Sequence, residues 1–332
     1  MPSATLQSPP DVIARDAPAR TVTLADGTQV DLTALSPAEL LGLQFDQEQA
    51  FARKFVAHPK RSAERAAAFA QGYDTVTAIY AAANGISGPV VMGLDRRYEQ
   101  LVVSVLRGQR RAGMNPRLFE VGYGSGLLLE RIRRHGFAVG GIEVSAAMHA
   151  QACAALPEAR ESLLLGNFMA LDWSGASSAS RGATQTGKLQ RGGYSLCYWN
   201  DVFEHIPPDE IADYLARIHD LLAPGGVLVT ITPNWHIRPN DVTGDFCPPR
   251  TEARGVHLKE YTLREVTALL RGAGFRRVAT PLFVTRRHIY RCGNGFSSVK
   301  RWFEPAVEVL PFRLAKLLVR GFGLSCTIAR RD

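Results

Sequence analysis

The chain has 332 residues, of which 46% are hydrophobic, and a formal net charge of +8. This length and composition allow one large α/β domain with appendages or two domains. The five cysteines show neither a C-x-x-C pair nor zinc spacing, which favours a reducing compartment, so we expect a cytoplasmic protein. No apolar run approaches the length of a transmembrane helix. A positive charge of this size is common, and no long Lys/Arg run is present, so we do not expect nucleic acid as a partner.

The N-terminal part of the chain is predicted to lie outside the sheet. Residues 1–20 are polar and rich in proline, which predicts a flexible tail rather than a signal peptide. An Asp-Gly turn at 26–27 between two β-like runs predicts a hairpin, and Ser36-Pro37-Ala38-Glu39 is a capping box that begins a helix to about Val56. Further helices are predicted over 63–71, 75–83 and 95–111. Residues 21–92 are therefore interpreted as a hairpin followed by a mostly helical extension.

The rest of the chain alternates between strands and helices. Strands are predicted over 117–121, 137–143, 162–165, 194–199, 226–232, 275–280 and 324–330, and helices over 126–135, 145–155, 208–222 and 262–273. This alternation predicts an α/β fold with a doubly wound, mostly parallel sheet. Residues 173–193 are rich in Ser, Gly, Ala and Thr, which predicts a mobile loop, and the irregular segment 234–260 is interpreted as an insertion on the substrate side.

A glycine-rich loop follows the first strand of this sheet. The apolar strand end Arg117–Val121 runs into Gly122, Gly124 and Gly126, and a helical pattern of leucines begins directly afterwards. Glycine lets the backbone adopt positive φ and approach a ligand, and the start of a helix supplies free N–H groups. The sequence therefore predicts a ligand-binding loop between a strand and a helix.

The residues around this loop disfavour a pyrophosphate ligand. A dinucleotide fingerprint needs Gly or Ala where this chain has Leu127, and the acid Glu120 would repel a phosphate. A carboxylate at a strand end suits a cation such as an ammonium group. The second strand ends in Glu143, which follows Gly124 at the distance of about 20 residues that is usual for an acid binding ribose hydroxyls. A ligand with a ribose, a positive charge and no phosphate fits both acids.

The run from Glu120 to Gly126 resembles the E-x-G-x-G-x-G loop of the class I S-adenosylmethionine (SAM)-dependent methyltransferases. The resemblance implies a Rossmann-like, seven-stranded sheet with an antiparallel last strand over residues 93–332, with SAM as cofactor and S-adenosyl-L-homocysteine as product. In this family an Asn or Asp bonds the adenine amino group and the next residue packs on the ring, which Asn167 and Phe168 match. The residues implied in cofactor binding are Glu120, Gly122, Tyr123, Gly124, Gly126, Glu143, Val144, Asn167, Phe168, Asn200, Val202 and Arg97.

The motif Trp199-Asn200-Asp201-Val202-Phe203-Glu204-His205-Ile206-Pro207 closes the central strand, at the edge where open α/β sheets bind ligands. It lacks both the Asn-Pro-Pro-aromatic run of DNA adenine methylases and the Pro-Cys nucleophile of cytosine methylases. It is similar to small-molecule methyltransferases, especially the ubiquinone-biosynthesis O-methyltransferases. That similarity implies Asp201, Glu204 and His205 as candidate ligands of a divalent cation such as Mg²⁺. In the alternative interpretation Glu204 caps a helix and His205 packs, without a metal.

The expected function is methyl transfer from SAM to a small-molecule acceptor, at a hydroxyl oxygen. A base with a pKa near neutrality would assist that reaction, and the candidates are His205, His236 and His257. Two alternatives stay open: an RNA- or protein-modifying methyltransferase, and a non-catalytic SAM-binding protein. The basic, amphipathic stretch Phe312–Phe322 leaves open both peripheral membrane contact and packing against the core. The sequence does not predict the oligomeric state.

Overall fold

A computed structural model describes residues 21–86, 90, 94–171, 189, 191–285 and 289–332. The predicted tail over 1–20 and nearly all of the predicted loop over 173–193 lie outside these residues. The strands are β1 (Thr21–Thr23), β2 (Gln29–Asp31), β3 (Arg117–Val121), β4 (Ala138–Glu143), β5 (Leu163–Leu165), β6 (Tyr194–Asn200), β7 (Leu222–Ile231), β8 (Arg277–Phe283), β9 (Ile289–Cys292) and β10 (Cys326–Arg330). The α-helices are α1 (Pro37–Ala57), α2 (Ala63–Ala83), α3 (Arg96–Arg111), α4 (Leu127–Arg134), α5 (Ala146–Ala155), α6 (Ile211–Leu221), α7 (Thr243–Phe246), α8 (Leu263–Gly272), α9 (Asn294–Phe303) and α10 (Phe312–Phe322).

Eight of the described strands form one sheet, in the order β5-β4-β3-β6-β7-β10-β8-β9. The neighbours from β5 to β7 pair in parallel, whereas β10 is antiparallel to both β7 and β8. This confirms the predicted Rossmann-like, mostly parallel sheet with an antiparallel last strand. The edge strand β9, antiparallel to β8, adds an eighth strand that the sequence did not predict. It has only four residues, none of them buried, so it carries no alternating pattern.

Helices cover both faces of the sheet. Side chains that alternate along a strand point to opposite faces, so Leu118 and Leu196 pack with α3, α4 and α5, whereas Phe119 and Trp199 pack with α6 and α8. The carboxyl ends of the five parallel strands therefore lie along one edge of the sheet, between the hydrophobic cores on its two faces. Loops that leave this edge are the ones placed to bind a ligand.

The N-terminal extension is helical, as predicted, but its second helix is longer than expected. The sequence predicted separate helices over 63–71 and 75–83, which was wrong, because α2 continues without a break from Ala63 to Ala83. Gly72 lies in the middle of this helix, where an added Cβ would come within 2.8 Å of Phe55 Cζ. Glycine here allows α2 to pack closely on α1, and this contact outweighs its low helix propensity.

Within the described residues, no helix is long and apolar enough to cross a membrane.

Candidate active site

The loop after β3 has the glycine-dependent conformation that the sequence predicts. Gly122, Gly124 and Gly126 all have positive φ, at 70°, 54° and 79°. A Cβ at Gly122 would lie 2.5 Å from Val202 Cγ2, and one at Gly126 would lie 3.0 Å from Ala152 Cβ, so close packing requires both glycines. A Cβ at Gly124 would meet nothing within 4 Å. The backbone at Gly124 therefore faces open space, as a ligand-binding loop should.

Two buried carboxyl groups lie at the ends of neighbouring strands beside this loop. Glu143 accepts hydrogen bonds from the backbone N–H groups of Gly124 at 2.8 Å, Val144 at 2.8 Å and Ser145 at 2.9 Å. Glu120 differs, because its Oε2 is buried and has no hydrogen-bond partner among the described residues. Burial, together with the charge of Glu143, raises the pKa of Glu120 well above its ordinary value. A buried carboxyl oxygen without a partner marks a place for a cationic group.

Two residues predicted to bind the cofactor already have partners within the protein. Tyr123 is buried, and its hydroxyl donates to the carbonyl oxygen of Leu164 at 3.0 Å. The guanidinium of Arg97 lies 2.5 Å from the carboxylate of Asp95 and 4.7 Å from the centre of the Phe283 ring. Their roles in cofactor binding stay predictions.

Asn167 and Phe168 follow β5 at the same edge of the sheet. The side-chain oxygen of Asn167 accepts a hydrogen bond from Met169 N at 2.8 Å. Phe168 is 3% exposed, and its ring centre lies 5.8 Å from that of Tyr214 and 6.2 Å from that of Phe119. Phe168 is thus a core residue in this conformation, and contact of either residue with an adenine ring stays a prediction.

The end of the central strand β6 carries an unusual backbone conformation. Asp201 has a φ of 51°, which is rare outside glycine and is often found at functional sites. Asn200 Nδ2 donates to Asp201 Oδ2 at 2.9 Å, while Asn200 Oδ1 is buried without a described partner. Three residues further on, Glu204 is fully buried: its Oε2 accepts from Thr232 Oγ1 at 3.0 Å and its Oε1 has no hydrogen bond among the described residues.

Glu204 forms a cluster with two histidines. Carboxylate and imidazole atoms of Glu204, His205 and His257 lie within 4.8 Å of one another. The Nδ1 atom of His205 lies 2.9 Å from the carbonyl oxygen of Val256, and Nδ1 of His257 lies 3.1 Å from Glu260 Oε1. The Nε2 atom of His257 lies 3.9 Å from Glu204 Oε1. Both imidazoles are thus held through Nδ1.

Burial and nearby charges shift the pKa values of the three groups by different amounts and in different directions. Burial raises the pKa of Glu204 to about 8, although the charge of nearby His257 opposes this effect. Burial disfavours the charged form of His257, but the hydrogen bond with Glu260 and the charge of Glu204 more than offset this and raise its pKa to about 9. Burial and the charge of His257 lower the pKa of His205 to about 3. Near neutral pH the cluster therefore holds a neutral His205 beside a charged His257.

The residues that cluster in the structure differ from the three predicted cation ligands. Of the three predicted residues, Glu204 and His205 belong to the cluster, but Asp201 does not, because the left-handed turn at this residue pairs its carboxylate with Asn200. His257 takes that third place, and it comes from the segment between β7 and α8. His236, another predicted base, instead places Nδ1 2.7 Å from Glu308 Oε2.

The N-terminal extension reaches the same edge of the sheet. The ring of Tyr73, on α2, lies 5.6 Å from that of His205 in an edge-on arrangement. The next residue, Asp74, accepts a hydrogen bond from Ser145 Oγ at 2.5 Å, directly after the strand that ends in Glu143. The extension thus contacts both the glycine-loop side and the histidine side of the site.

Sequence reasoning missed three residues of this region: Tyr73, Glu48 and Glu260. Glu48 Oε2 accepts a hydrogen bond from Val256 N at 3.3 Å, beside His257. One signal was present in the sequence, because Gln44 and Glu48 lie one turn apart in phase with the apolar Leu40, and the structure shows all three buried on α1. Polar residues on the buried face of a helix indicate a polar site beneath it.

Comparison with known proteins adds a family match. Residues 94–280, more than half of the chain, match a family model described as a methyltransferase domain. Among curated proteins, none matches the chain.

Several solved structures are similar at low identity. One is a SAM-dependent methyltransferase from Archaeoglobus fulgidus, 16% identical, covering 70% of this chain and 94% of that chain with a TM-score of 0.40. Another is magnesium protoporphyrin IX methyltransferase from Synechocystis PCC 6803 with bound SAH (16% identity, 75% and 92% coverage, TM-score 0.42). A third is geranyl diphosphate C-methyltransferase from Streptomyces coelicolor A3(2), with Mg²⁺, geranyl diphosphate and S-adenosyl-L-homocysteine (15% identity, 84% and 87% coverage, TM-score 0.41).

Proposed function

The chain belongs to the methyltransferase-domain family, which its residues 94–280 match, and we propose that it transfers a methyl group from SAM to a hydroxyl oxygen of a small molecule. The observation that carries this proposal is the unpartnered, buried Oε2 of Glu120 beside the open backbone of Gly124. A phosphate would be repelled there, whereas the ammonium group of a methionine moiety would be bound.

The glycine-loop side of the site fits SAM residue by residue. Glu120 would bind the ammonium group, and Glu143 would bind ribose hydroxyls while keeping its bond with Gly124 N. Asn167 lies at the end of β5, where the adenine would be bound, and Val202 packs under Gly122 and fixes the loop. When bound, SAM supplies a methyl group on a positively charged sulfur, which is already electrophilic. The protein then needs mainly to position the acceptor and exclude water.

The histidine side would bind the acceptor hydroxyl. Because a carbonyl oxygen can only accept a hydrogen bond, the contact of His205 Nδ1 with Val256 O places the ring proton on Nδ1. The neutral His205, whose pKa is lowered to about 3, would line the acceptor site without acting as the base. The unpartnered Oε1 of Glu204 would take the hydroxyl proton, since a carboxylate with a pKa near 8 is matched to that task. Charged His257 cannot accept a proton at neutral pH; instead it stabilises the Glu204 carboxylate.

Substitution of the proposed base tests this assignment. We expect Glu204→Gln to lower kcat by about 10²–10⁴-fold and leave SAM affinity within about twofold, because the glycine loop is unchanged. Activity of the unchanged protein should rise with pH toward about 8, as Glu204 loses its proton. Unchanged kcat in Glu204→Gln would exclude the carboxylate as the base.

A labelling experiment tests the acceptor class. Methyl-labelled SAM would be incubated with the protein and a cell extract, and the label followed into small molecules, RNA and protein. Label in a small-molecule fraction, stable to acid and base as an ether is, supports the proposal. Label in RNA or protein would favour the macromolecular alternative, and tight SAM binding without any transfer would favour a non-catalytic role.

A divalent cation at the Glu204–His205–His257 cluster is a second candidate feature. Each histidine has Nδ1 engaged, Nε2 of His257 lies 3.9 Å from Glu204 Oε1, and that carboxylate oxygen has no described hydrogen bond, so the cluster offers donor atoms to a metal ion. Two imidazoles and one carboxylate favour Zn²⁺ over Mg²⁺. Calorimetric titration should then show Zn²⁺ binding with proton release from His257, and loss of this binding in His257→Ala. Equal Zn²⁺ binding by this variant would place any metal elsewhere.

A further inference from the structure

Helix α9 has its polar side chains facing the protein and its apolar side chains facing outward, which is the reverse of an ordinary surface helix. Its inward face is polar: Ser297 Oγ accepts a hydrogen bond from Thr280 N at 3.0 Å, and the buried Lys300 donates to the carbonyl oxygens of Pro281 and Phe322, both at 2.6 Å. These bonds hold the helix on the protein in one orientation. Polar side chains, which usually face water on a surface helix, therefore point toward the protein on α9.

The outward face of α9 is apolar. Phe296, Val299, Trp302 and Phe303 are 47%, 47%, 69% and 57% exposed. Positions 296, 299 and 303 are spaced i, i+3 and i+7, so they form one stripe along the helix. A contiguous stripe of large apolar side chains on a helix that is fixed in place indicates a surface that something covers.

A positively charged groove borders this stripe. It has a volume of about 340 Å³ and is lined by Arg264, Thr267, Ala268, Arg271, Ser298, Arg301 and Trp302. The lining contains three arginines and no acid. Within the part of the chain that the structure describes, none of the three guanidinium groups forms a salt bridge, although the charge of the buried Glu304 acts on Arg301, whose Nη1 is buried without a hydrogen-bond partner.

The positive charge opposes a second copy of this chain as the covering partner. In a symmetric dimer the same patch meets itself, so the arginines of one copy would face those of the other. An acidic and apolar surface matches both features. Trp302 lies where the groove meets the stripe, and tryptophan is the side chain typical of the boundary between lipid headgroups and acyl chains.

We propose that α9 and the arginine groove, formed by α8 and α9, are a docking surface for an anionic lipid bilayer. The stripe enters the acyl boundary, the exposed Arg264 and Arg271 bind lipid phosphates, and the buried Arg301 adds positive charge beneath them. Helix α10, for which the sequence left membrane contact open, also carries exposed cations, Arg313, Lys316 and Arg320, and the exposed Leu317. The protein would thus lie on the surface of the bilayer.

Co-sedimentation of the full-length protein with vesicles tests the proposal. Vesicles of phosphatidylcholine alone would be compared with vesicles of equal parts phosphatidylcholine and phosphatidylglycerol, at low salt. We expect strong binding to the mixed vesicles and weak binding to the neutral ones. Arg264→Gln with Arg271→Gln, both at exposed positions, should weaken binding by about fivefold per arginine, which corresponds to about 1 kcal/mol per cation. Phe296→Ser with Trp302→Ser should weaken it at least about tenfold.

Matched changes on another part of the surface serve as controls. Val56 is 54% exposed on α1, and the Arg134 side chain is 70% exposed on α4, so Val56→Ser with Arg134→Gln should bind as the unchanged protein does. Absence of binding to the mixed vesicles would overturn the proposal, as would equal binding to both vesicle types or unchanged binding in the arginine variant. A dimer by light scattering that Trp302→Ser converts to monomer would assign the surface to a second copy instead.

Discussion

Replacing Glu120 by glutamine should raise the stability of the free protein and weaken its binding of SAM. The carboxyl group is buried, its Oε2 has no described partner, and burial raises its pKa well above that of an ordinary glutamate. The protonated form therefore contributes stability that is fully present below about pH 4.5 and is lost as the pH rises through the raised pKa. Glutamine has no proton to lose, so the gain in Tm should be small at pH 4 and grow toward pH 8.

The effect on binding should have the opposite sign. A hydrogen bond between a charged donor and a carboxylate contributes roughly 1.5–3 kcal/mol, so its loss should raise the Kd for SAM by about tenfold to a hundredfold. Calorimetry measures the Kd, and thermal unfolding at several pH values measures the stability. Glu158→Gln is the control, because this exposed carboxylate pairs with Arg133 on α4 and should affect SAM binding very little. An unchanged SAM Kd in Glu120→Gln, or a Tm that falls equally at every pH, would refute the reasoning.

Three further substitutions test neighbouring parts of the structure. Glu143→Ala leaves three backbone N–H groups without their acceptor, so it should weaken SAM binding at least about tenfold and, unlike Glu120→Gln, also lower the Tm. Gly72→Ala places a Cβ 2.8 Å from Phe55 Cζ and should reduce the free energy of unfolding by about 1–3 kcal/mol in a urea titration, whereas Gly42→Ala, with nothing within 4 Å, should increase it by up to about 1 kcal/mol. Arg65→Met leaves the buried Glu210 without the guanidinium 2.6 Å away, and we expect a loss of about 3 kcal/mol by the same titration; a loss below about 0.5 kcal/mol would show that this pair does not hold the extension in place.

The glycine-loop side of the site was predictable because its geometry is local. Gly122, Gly124 and Gly126 follow a strand within a few residues, and the positive φ of each is a property that glycine alone adopts easily. Glu143 is farther away in the chain, but parallel strands place their carboxyl ends together, so its contact with Gly124 follows from the fold. Motif spacing and sheet topology together were sufficient here.

The histidine side was only partly predictable because it depends on contacts that are distant in the chain. His257 was a candidate base, but its segment has no periodicity, and nothing local indicates that it reaches Glu204. Asp201 was assigned as a ligand from its position in a motif, and its left-handed backbone conformation, which turns it toward Asn200, left no trace in the sequence. The position of Tyr73 beside His205 required knowing how the extension packs.

The formal charge of +8 also conceals the character of the site. Glu48, Glu120, Glu143, Glu204 and Glu260 are all less than 9% exposed, so the site is acidic although the chain as a whole is basic. Burial raises the pKa values of the first four, so protons compete with any cation that enters for these carboxyl groups. Binding of a cationic cofactor should therefore release protons and strengthen as the pH rises, because a positive charge beside a buried carboxyl group favours its ionised form. A site that selects a positive ligand is thus compatible with the net positive charge of the chain, because the acids that form the site are buried.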